Sequence, residues 1–528
     1  MNDEVWLSPM TKIEPLTYRW PASAHLIAPA SLAMNLAFRA VKKLDSFVEN
    51  PAIHIAASRD PAMFGGQFLE LTEEDISWAA NHAKELRQKA EKSISFATQL
   101  RVLNEQLQRT AKGHTLDEFV RSLPEDLAGR VELVYDVNNH ARVRLIEDLL
   151  YGSVLDSRWG QEFCLQAIPD AKRPFAMGNP VPDGEQRLFL KLPFDDRGID
   201  RLASMRTTPR SQTEVAEALG LADTSDLFRS FFTDVPPARR DPDYQGTDIR
   251  IRYFGHACVL IQTSQVSVLL DPVVAFERDS DEATLTFEDL PDFIDYVVLT
   301  HGHSDHFLPE LLIQIRHKVG RVIVPCNDQG NVADPSLKLV LRSLGFADVL
   351  SVAPFEAVKT PHVEIVSLPF VGEHAGLDVA AKQCVLVRAG GKKLLFLADA
   401  DGIDSALFSR LTDFIGVPDA MFIGMECRGA PLSWLYGPLL TTNLSRRDDE
   451  SRRLSGADSE RAWRITEAIG CKRAFVYAMG QEKWMRRLMG LAYTPDAVQI
   501  LESDKFVARC EASGVSARRL HGCCELML

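Results

Sequence analysis

Residues 301–306 read His301-Gly302-His303-Ser304-Asp305-His306, directly after the apolar run Tyr296-Val297-Val298-Leu299-Thr300. A short β-branched run of this kind predicts a buried strand, and residues 308–316 behind it have the apolar spacing of a helix. The four strong metal donors therefore sit at a strand end, in a strand–loop–helix unit. Three imidazoles crowded there repel one another once protonated. A cation relieves the crowding, and the number of donors suggests two cations. The fold must bring the remaining donors to this one sheet edge.

With 528 residues the chain exceeds what one ordinary core accommodates, so two or three domains are expected. A formal net charge of −14 argues against a nucleic-acid or anionic-membrane partner. Residues 1–6 lack the basic-then-apolar order of a secretory signal, and no stretch is apolar enough for a membrane span. A cytoplasmic location is the expectation. The nine cysteines are scattered without a CxxC pair, which fits reduced thiols.

Two halves differ in texture. Residues 1–240 are expected to form a mostly helical α+β domain. Helical spacing covers residues 31–49, with Ser31 as N-cap, and a long charged pattern runs from Glu73 to about Leu107, with Thr72 as cap. Shorter helical patterns cover residues 116–122, 142–151, 213–219 and 226–232, and strand-like runs cover 131–135 and 187–192. The Pro-rich, charged stretch 234–243 reads as a linker. Residues 248–528 then alternate short β-branched runs with helical patterns, the texture of a layered α/β domain.

Four elements fit the opening motif. Asp271 ends the run Leu269-Leu270 and could accept the free ring N–H of a ligating His. Glu373 and His374 are adjacent candidate ligands. Asp399 ends the run Phe396-Leu397-Ala398, where a carboxylate could bridge two metals. Asp401 and Asp404 suit turn or cap roles, and His256 a structural or outer role. Glu426, Arg428, Trp434 and Tyr436 are candidates for a substrate-pocket wall. Arg446, Arg447, Arg452 and Arg453 form a mixed-charge run best read as a solvated face.

The ordered set Asp271, His301-x-His303-x-Asp305-His306, a ligand at 373–374 and Asp399 resembles the metallo-β-lactamase superfamily over roughly residues 248–500. That resemblance implies an αββα sandwich with a two-metal site at the sheet edge, in most members a zinc hydrolase. This chain departs from the pattern in one respect. Dimetal hydrolases usually place another ligating His some tens of residues after the bridging Asp, and here the only His after His374 is His521. If Glu373 rather than His374 faces the metals, three imidazoles meet three carboxylates, a mixture better suited to iron redox chemistry than to zinc hydrolysis.

With the Val371-Gly372-Glu373-His374 and Ala398-Asp399-Ala400-Asp401 contexts and the large N-terminal region, the chain resembles the diiron β-hydroxylases of nonribosomal peptide and antibiotic biosynthesis. The resemblance implies two iron ions, O2 and an external electron donor. It implies a substrate amino acid held as a thioester on a phosphopantetheine-loaded carrier domain of a nonribosomal peptide synthetase, and a homodimer built on the N-terminal domain. Carried over by position, one iron takes His301, His303 and Glu373; the other takes Asp305 and His306, with Asp399 bridging. The competing reading is a zinc-dependent hydrolase of a lactone, phosphodiester or thioester, with His374 in place of Glu373.

Overall fold

The computed structural model describes residues 4–60, 63, 68–222, 224–278, 282–440, 444–490 and 493–528; residues 1–3 of the N-terminal reading lie outside them. From Arg250 onward, two seven-stranded mixed sheets face each other. The first runs, in spatial order, Val349–Val352, Val319–Pro325, Ile294–Val298, Ser267–Leu270, Cys258–Gln262, Arg250–Gly255 and Cys524–Met527. The second runs Ala357–Lys359, Val363–Leu368, Cys384–Ala389, Lys392–Phe396, Ala420–Gly424, Arg473–Tyr477 and Ser516–Arg519. Three of the first sheet's strands, Ser267–Leu270, Ile294–Val298 and Val319–Pro325, pair in parallel, so their C-terminal ends share one edge.

The strands are apolar on both faces because both faces are covered. Val298, Ile323 and Val259 point inward against Val385, Val387 and Phe396 of the second sheet. Their sequence neighbours Val297 and Val322 point outward, under the helices Pro309–Ile315 and Leu337–Ser343. The outer face of the second sheet is covered by Ser405–Ile415, Ser459–Ile469 and Val498–Ala512. This is the expected αββα sandwich. Among the described residues no helix is long and apolar enough to cross a membrane, and all nine cysteines are free thiols.

The N-terminal half mixes helices with a four-stranded sheet, as expected, and several local expectations are corrected. The helix expected from Ser31 begins at Pro29, whose fixed φ suits the first turn, and Ser31 Oγ instead donates to the His25 carbonyl. The long pattern after Thr72 is capped there, through a reciprocal Thr72–Asp75 box, but breaks at Ala90 into Ile76–Lys89 and Glu91–Thr110. The first piece packs on Val41–Glu49 and the second on Pro29–Asn35, so each follows its own partner. Residues 142–151 are not a helix. Ala141–Leu145 pairs antiparallel with Val131–Tyr135, following the two-residue alternation of Arg142-Val143-Arg144-Leu145. The expected linker at 234–243 is a strap fastened to the sandwich: Arg240 N–H donates to Asp289 Oδ1 at 2.7 Å, and Arg250 Nη2 donates to the Asp241 carbonyl at 2.8 Å.

The two halves share one hydrophobic cluster, in which Leu7, Ile13, Phe163 and Leu202 join Leu260, Val297 and Leu312. A buried ionic network crosses the same junction. Arg173 Nη2 donates to both Glu310 oxygens, at 2.8 and 2.9 Å, and Glu14 pairs with Arg487. Arg206 Nε donates to Gln314 Oε1 at 2.9 Å. Glu310 and Gln314 lie on the helix that follows the metal-donor loop, so the N-terminal half clamps that helix. Removing one member of a buried pair strands the other charge. Glu310→Ala is expected to destabilise the protein by about 3–5 kcal/mol in chemical denaturation, whereas Glu132→Ala, in an exposed pair with Arg144, should change stability by about 1 kcal/mol or less.

Candidate metal centre

The strand Ile294–Val298 delivers Thr300 and His301 to the sheet edge, where the second sheet meets them. Gln383 N–H donates to the Thr300 carbonyl at 2.8 Å, and its side-chain amide donates to the Leu299 carbonyl at 2.8 Å. Asp271 leaves the neighbouring strand at φ 38° and turns its carboxylate inward. One oxygen accepts the Thr300 N–H at 2.7 Å; the other accepts the Thr300 hydroxyl at 2.6 Å and lies 2.8 Å from His306 Nδ1. Thr300 Oγ1 in turn lies 3.0 Å from His301 Nδ1. Each ring therefore carries its hydrogen on Nδ1 and turns the Nε2 lone pair toward the interior. His303 is held the opposite way round: its Nε2 meets the Tyr436 hydroxyl at 3.0 Å, leaving Nδ1 3.1 Å from Glu373 Oε1.

The second sheet supplies the carboxylates from strained backbone. Glu373 has φ 62° and Ala398, just before Asp399, φ 47°. Such values in non-glycine residues collect where surrounding structure imposes them, often at functional sites. Two glycines make room. A Cβ on Gly372 (φ +93°) would lie 2.0 Å from Asp401 Cγ, and one on Gly424 2.5 Å from Asp399 Oδ1. Asp401 and Asp404 take the expected local roles, accepting the Ile403 and Ala406 N–H groups at 3.1 Å.

Three donor groups result: His301, His303 and Glu373; His301, His306 and Asp399; and His256, Asp305 and His306. Within each, the ligand atoms lie within 4.8 Å of one another. His301 and His306 are shared, so the groups form one continuous site with places for two ions. The donor set fits cations for an electrostatic reason. With its hydrogen on Nδ1, His306 turns a lone pair on Nε2 toward Asp399 Oδ2 at 3.0 Å. Two acceptors face each other there. Among the described residues, His301 Nε2, His306 Nε2 and Asp399 Oδ1 are buried without a hydrogen-bond partner. Only positive charge placed between such groups offsets their burial.

The acid–base balance of the metal-free site says the same. Burial opposes charge on His306, but Asp399, Asp305 and Asp271 outweigh it and push its pKa well above the ordinary histidine value. A proton thus takes the cation's place. Burial, reinforced by His306 and His303, holds His301 well below that value. Burial alone would raise Glu373, yet His303 and His374 hold it well below the usual carboxylate range.

His374 is buried beside the site, with Nδ1 2.8 Å from Glu373 Oε2 and its ring stacked on His303 at 4.5 Å; it enters none of the three groups. His521 is remote and half-exposed, paired with Glu282 at 2.8 Å. Of the expected pocket residues, Glu426, Arg428 and Trp434 line a cavity of about 670 Å³ whose floor includes His303, Asp305, Glu373 and Asp399. Tyr436 does not line it. The tyrosine is buried behind His303, because its hydroxyl is taken up by that ring. Phe175, Met177 and Leu488 complete the apolar wall. Burial, then the nearby Asp305, Asp399 and Glu373, raise Glu426 above the usual carboxylate value in the metal-free site.

Of three further contributors, only Thr300 went unread in the sequence; Tyr436 was expected at the pocket wall and His256 in a structural or outer role. Thr300 is an ordinary strand-end residue by pattern. Tyr436 lies 133 positions from the ring it holds. His256, at φ 48°, places Nε2 3.2 Å from Asp305 Oδ2, and its Gly255-His256 turn was the one available signal. Partners of this kind orient ligating rings, and their loss typically lowers metal affinity about 10–100-fold. Tyr436→Phe and Asp271→Asn should each show a loss of that order in chelator competition; unchanged retention would separate these contacts from the metal site.

The comparisons with known proteins agree along the whole chain. Residues 6–236 match the family model described as the diiron non-heme β-hydroxylase N-terminal domain, and residues 250–387 match a β-lactamase superfamily domain. A 4-amino-L-phenylalanyl-(CmlP-peptidyl-carrier-protein) 3-hydroxylase of Streptomyces venezuelae is 34% identical over 517 residues, 96% of this chain and 97% of that protein. The crystal structure of CmlA, a diiron β-hydroxylase from Streptomyces venezuelae, superposes with a TM-score of 0.92 at 33% identity, covering 99% of each chain. A metal-dependent hydrolase of Methanosphaerula palustris is 29% identical, over only 33% of this chain and 70% of its own length. With a donor set that fits two cations and a relative matching from end to end, the chain belongs to the diiron non-heme β-hydroxylases.

Proposed function

We propose that this enzyme hydroxylates the β-carbon of an amino acid held as a thioester on the phosphopantetheine arm of a nonribosomal peptide synthetase carrier domain. The observation that carries the reading is the donor set: three imidazoles and three carboxylates, of which His303, Asp305, Glu373 and Asp399 form the floor of a cavity large enough for a tethered substrate, while the one later histidine, His521, pairs with Glu282. We assign His301, His303 and Glu373 to one iron, Asp305 and His306 to the other, and Asp399 to the position between them. His374 orients Glu373, and His256 holds Asp305. When bound, the irons supply O2 activation, with electrons from an external donor.

The chain's own residues do the rest. Asp271 and Thr300 fix the His301 and His306 rings, and Tyr436 fixes His303. Phe175, Met177, Trp434 and Leu488 keep water from the reacting carbon. Glu426 faces the cavity, with the Tyr493 hydroxyl 3.5 Å away.

Protein produced with sufficient iron should carry two irons per chain and a near-ultraviolet iron–oxo absorption band. With reductant and O2 it should add one oxygen atom to an aminoacyl carrier, read by mass spectrometry. Two zincs and no response of reduced protein to O2 would overturn the reading. Glu373→Ala should lose metal where Glu373→Asp and His374→Ala retain it; metal loss confined to His374→Ala would reassign the ligand.

We also propose a homodimer built on the N-terminal half. The hairpin Val131–Tyr135/Ala141–Leu145 and the segment after it expose apolar side chains, among them Val137 (98% exposed), Trp159 (71%), Val154 and Leu149. A homodimer contact over this stretch would take these side chains out of water. Sedimentation should give a dimer that Val137→Asp with Trp159→Glu converts to monomer at unchanged metal content; a monomeric parent protein would refute it.

A further inference from the structure

The cavity above the metal donors has a basic mouth. Arg428, Arg446 and Arg453 line it together with the buried donors, and Arg428 and Arg446 are exposed at its outer side. The acids at the same mouth are already engaged. Asp449 accepts the Ser433 N–H at 2.8 Å and its hydroxyl at 2.7 Å, while Glu450 pairs with Arg453 Nη1 at 2.8 Å. Among the described residues no carboxylate pairs with Arg428 or Arg446. Asp449 and Glu450 offset two of the three guanidinium groups, so the rim keeps one net positive charge in a chain of net charge −14.

The backbone of the Arg428 segment is held in place. Gln499 Nε2 donates to the Arg428 carbonyl at 3.0 Å, and Arg453 Nε donates to the adjacent Gly429 carbonyl at 2.7 Å. Arg428 lies two residues beyond Glu426, on the loop that leaves the strand Ala420–Gly424 at the metal site. One short loop therefore reaches from the cavity floor to its rim.

We propose that Arg428 and Arg446 receive the phosphodiester of the phosphopantetheine arm. The inference rests on the carrier-bound reading above and adds the residues that would seat the arm. A thioester placed over the irons leaves the other end of the arm, a phosphodiester, on the solvent side. Guanidinium groups match the geometry and charge of phosphate oxygens through paired N–H donors. The apolar middle of the cavity would contact the pantetheine chain, and the phosphate contact would set how far the thioester reaches in.

The test uses the iron-loaded enzyme with 4′-phosphopantetheine and with pantetheine, followed by ligand-observed NMR. The phosphorylated compound should bind about 10-fold tighter, the ratio that one added charge-assisted contact supplies. In the double variant Arg428→Gln/Arg446→Gln this ratio should fall to near one, with pantetheine affinity unchanged. Arg447→Gln, which removes a positive charge from a neighbouring residue that does not line the cavity, should leave the ratio intact. Iron should broaden the protons beside the thiol more than the methyl protons near the phosphate. A ratio that survives the double substitution, or a parent enzyme that binds both compounds equally, overturns the phosphate site while leaving the carrier reading in place. Failure of pantetheine itself to bind overturns both.

Discussion

The structure turns on acceptors that face acceptors. His306 Nε2 and Asp399 Oδ2, 3.0 Å apart, repel one another unless positive charge lies between them. Beside it, His303 Nδ1 lies 3.1 Å from Glu373 Oε1, a contact that keeps the carboxylate charged. Isolated, each pair is costly to bury. Their convergence makes sense only if the fold is built to hold cations, and the surrounding elements read as means of keeping the lone pairs aimed inward. Asp271 and Thr300 occupy the outer nitrogens of two rings, and Tyr436 that of the third. Strained turns at Glu373 and Ala398 bring the second sheet's carboxylates across the gap.

Holding that arrangement needs a rigid frame, and the N-terminal half supplies part of it. The helix Pro309–Ile315 leaves the donor loop and is fixed from the far side by Arg173 and Arg206. The same half contributes Phe175 and Met177 to the cavity wall. It therefore belongs to the reaction chamber as well as to the scaffold. A hydrolase built on the sandwich alone would lack this wall, and the hydrolase relative described above covers only a third of the chain.

Much of the sandwich was legible because strands buried on both faces leave continuous apolar runs, as at 268–270, 296–299 and 394–397, which lead within two residues to Asp271, His301 and Asp399. The donor loop was legible because its residues are contiguous. The N-terminal half was less so. Residues 142–151 have helical apolar spacing but join a hairpin, since pairing with Val131–Tyr135 satisfies their backbone and propensity does not decide. The break at Ala90 has no Gly or Pro to announce it; it follows from two helices packing on two different partners.

By itself the sequence determined the chemistry available: three imidazoles and an aspartate at one strand end, with Asp271, Glu373 and Asp399 at others, and no late histidine near them. Those are statements about residue identity and order along a strand, and period-two geometry carries them into space. Tertiary structure alone decided which atoms face which. Glu373 and His374 are neighbours in the chain, and only the turn at φ 62° sends the carboxylate into the donor groups and leaves the imidazole beside it. Tyr436 behind His303 is a long-range contact with no local signature, and for His256 beside Asp305 the Gly255-His256 turn gave the residue but not its partner. Both contacts arise because two sheets, each apolar on both faces, can bury those faces only by packing together, and packing brings their loop ends to a common edge.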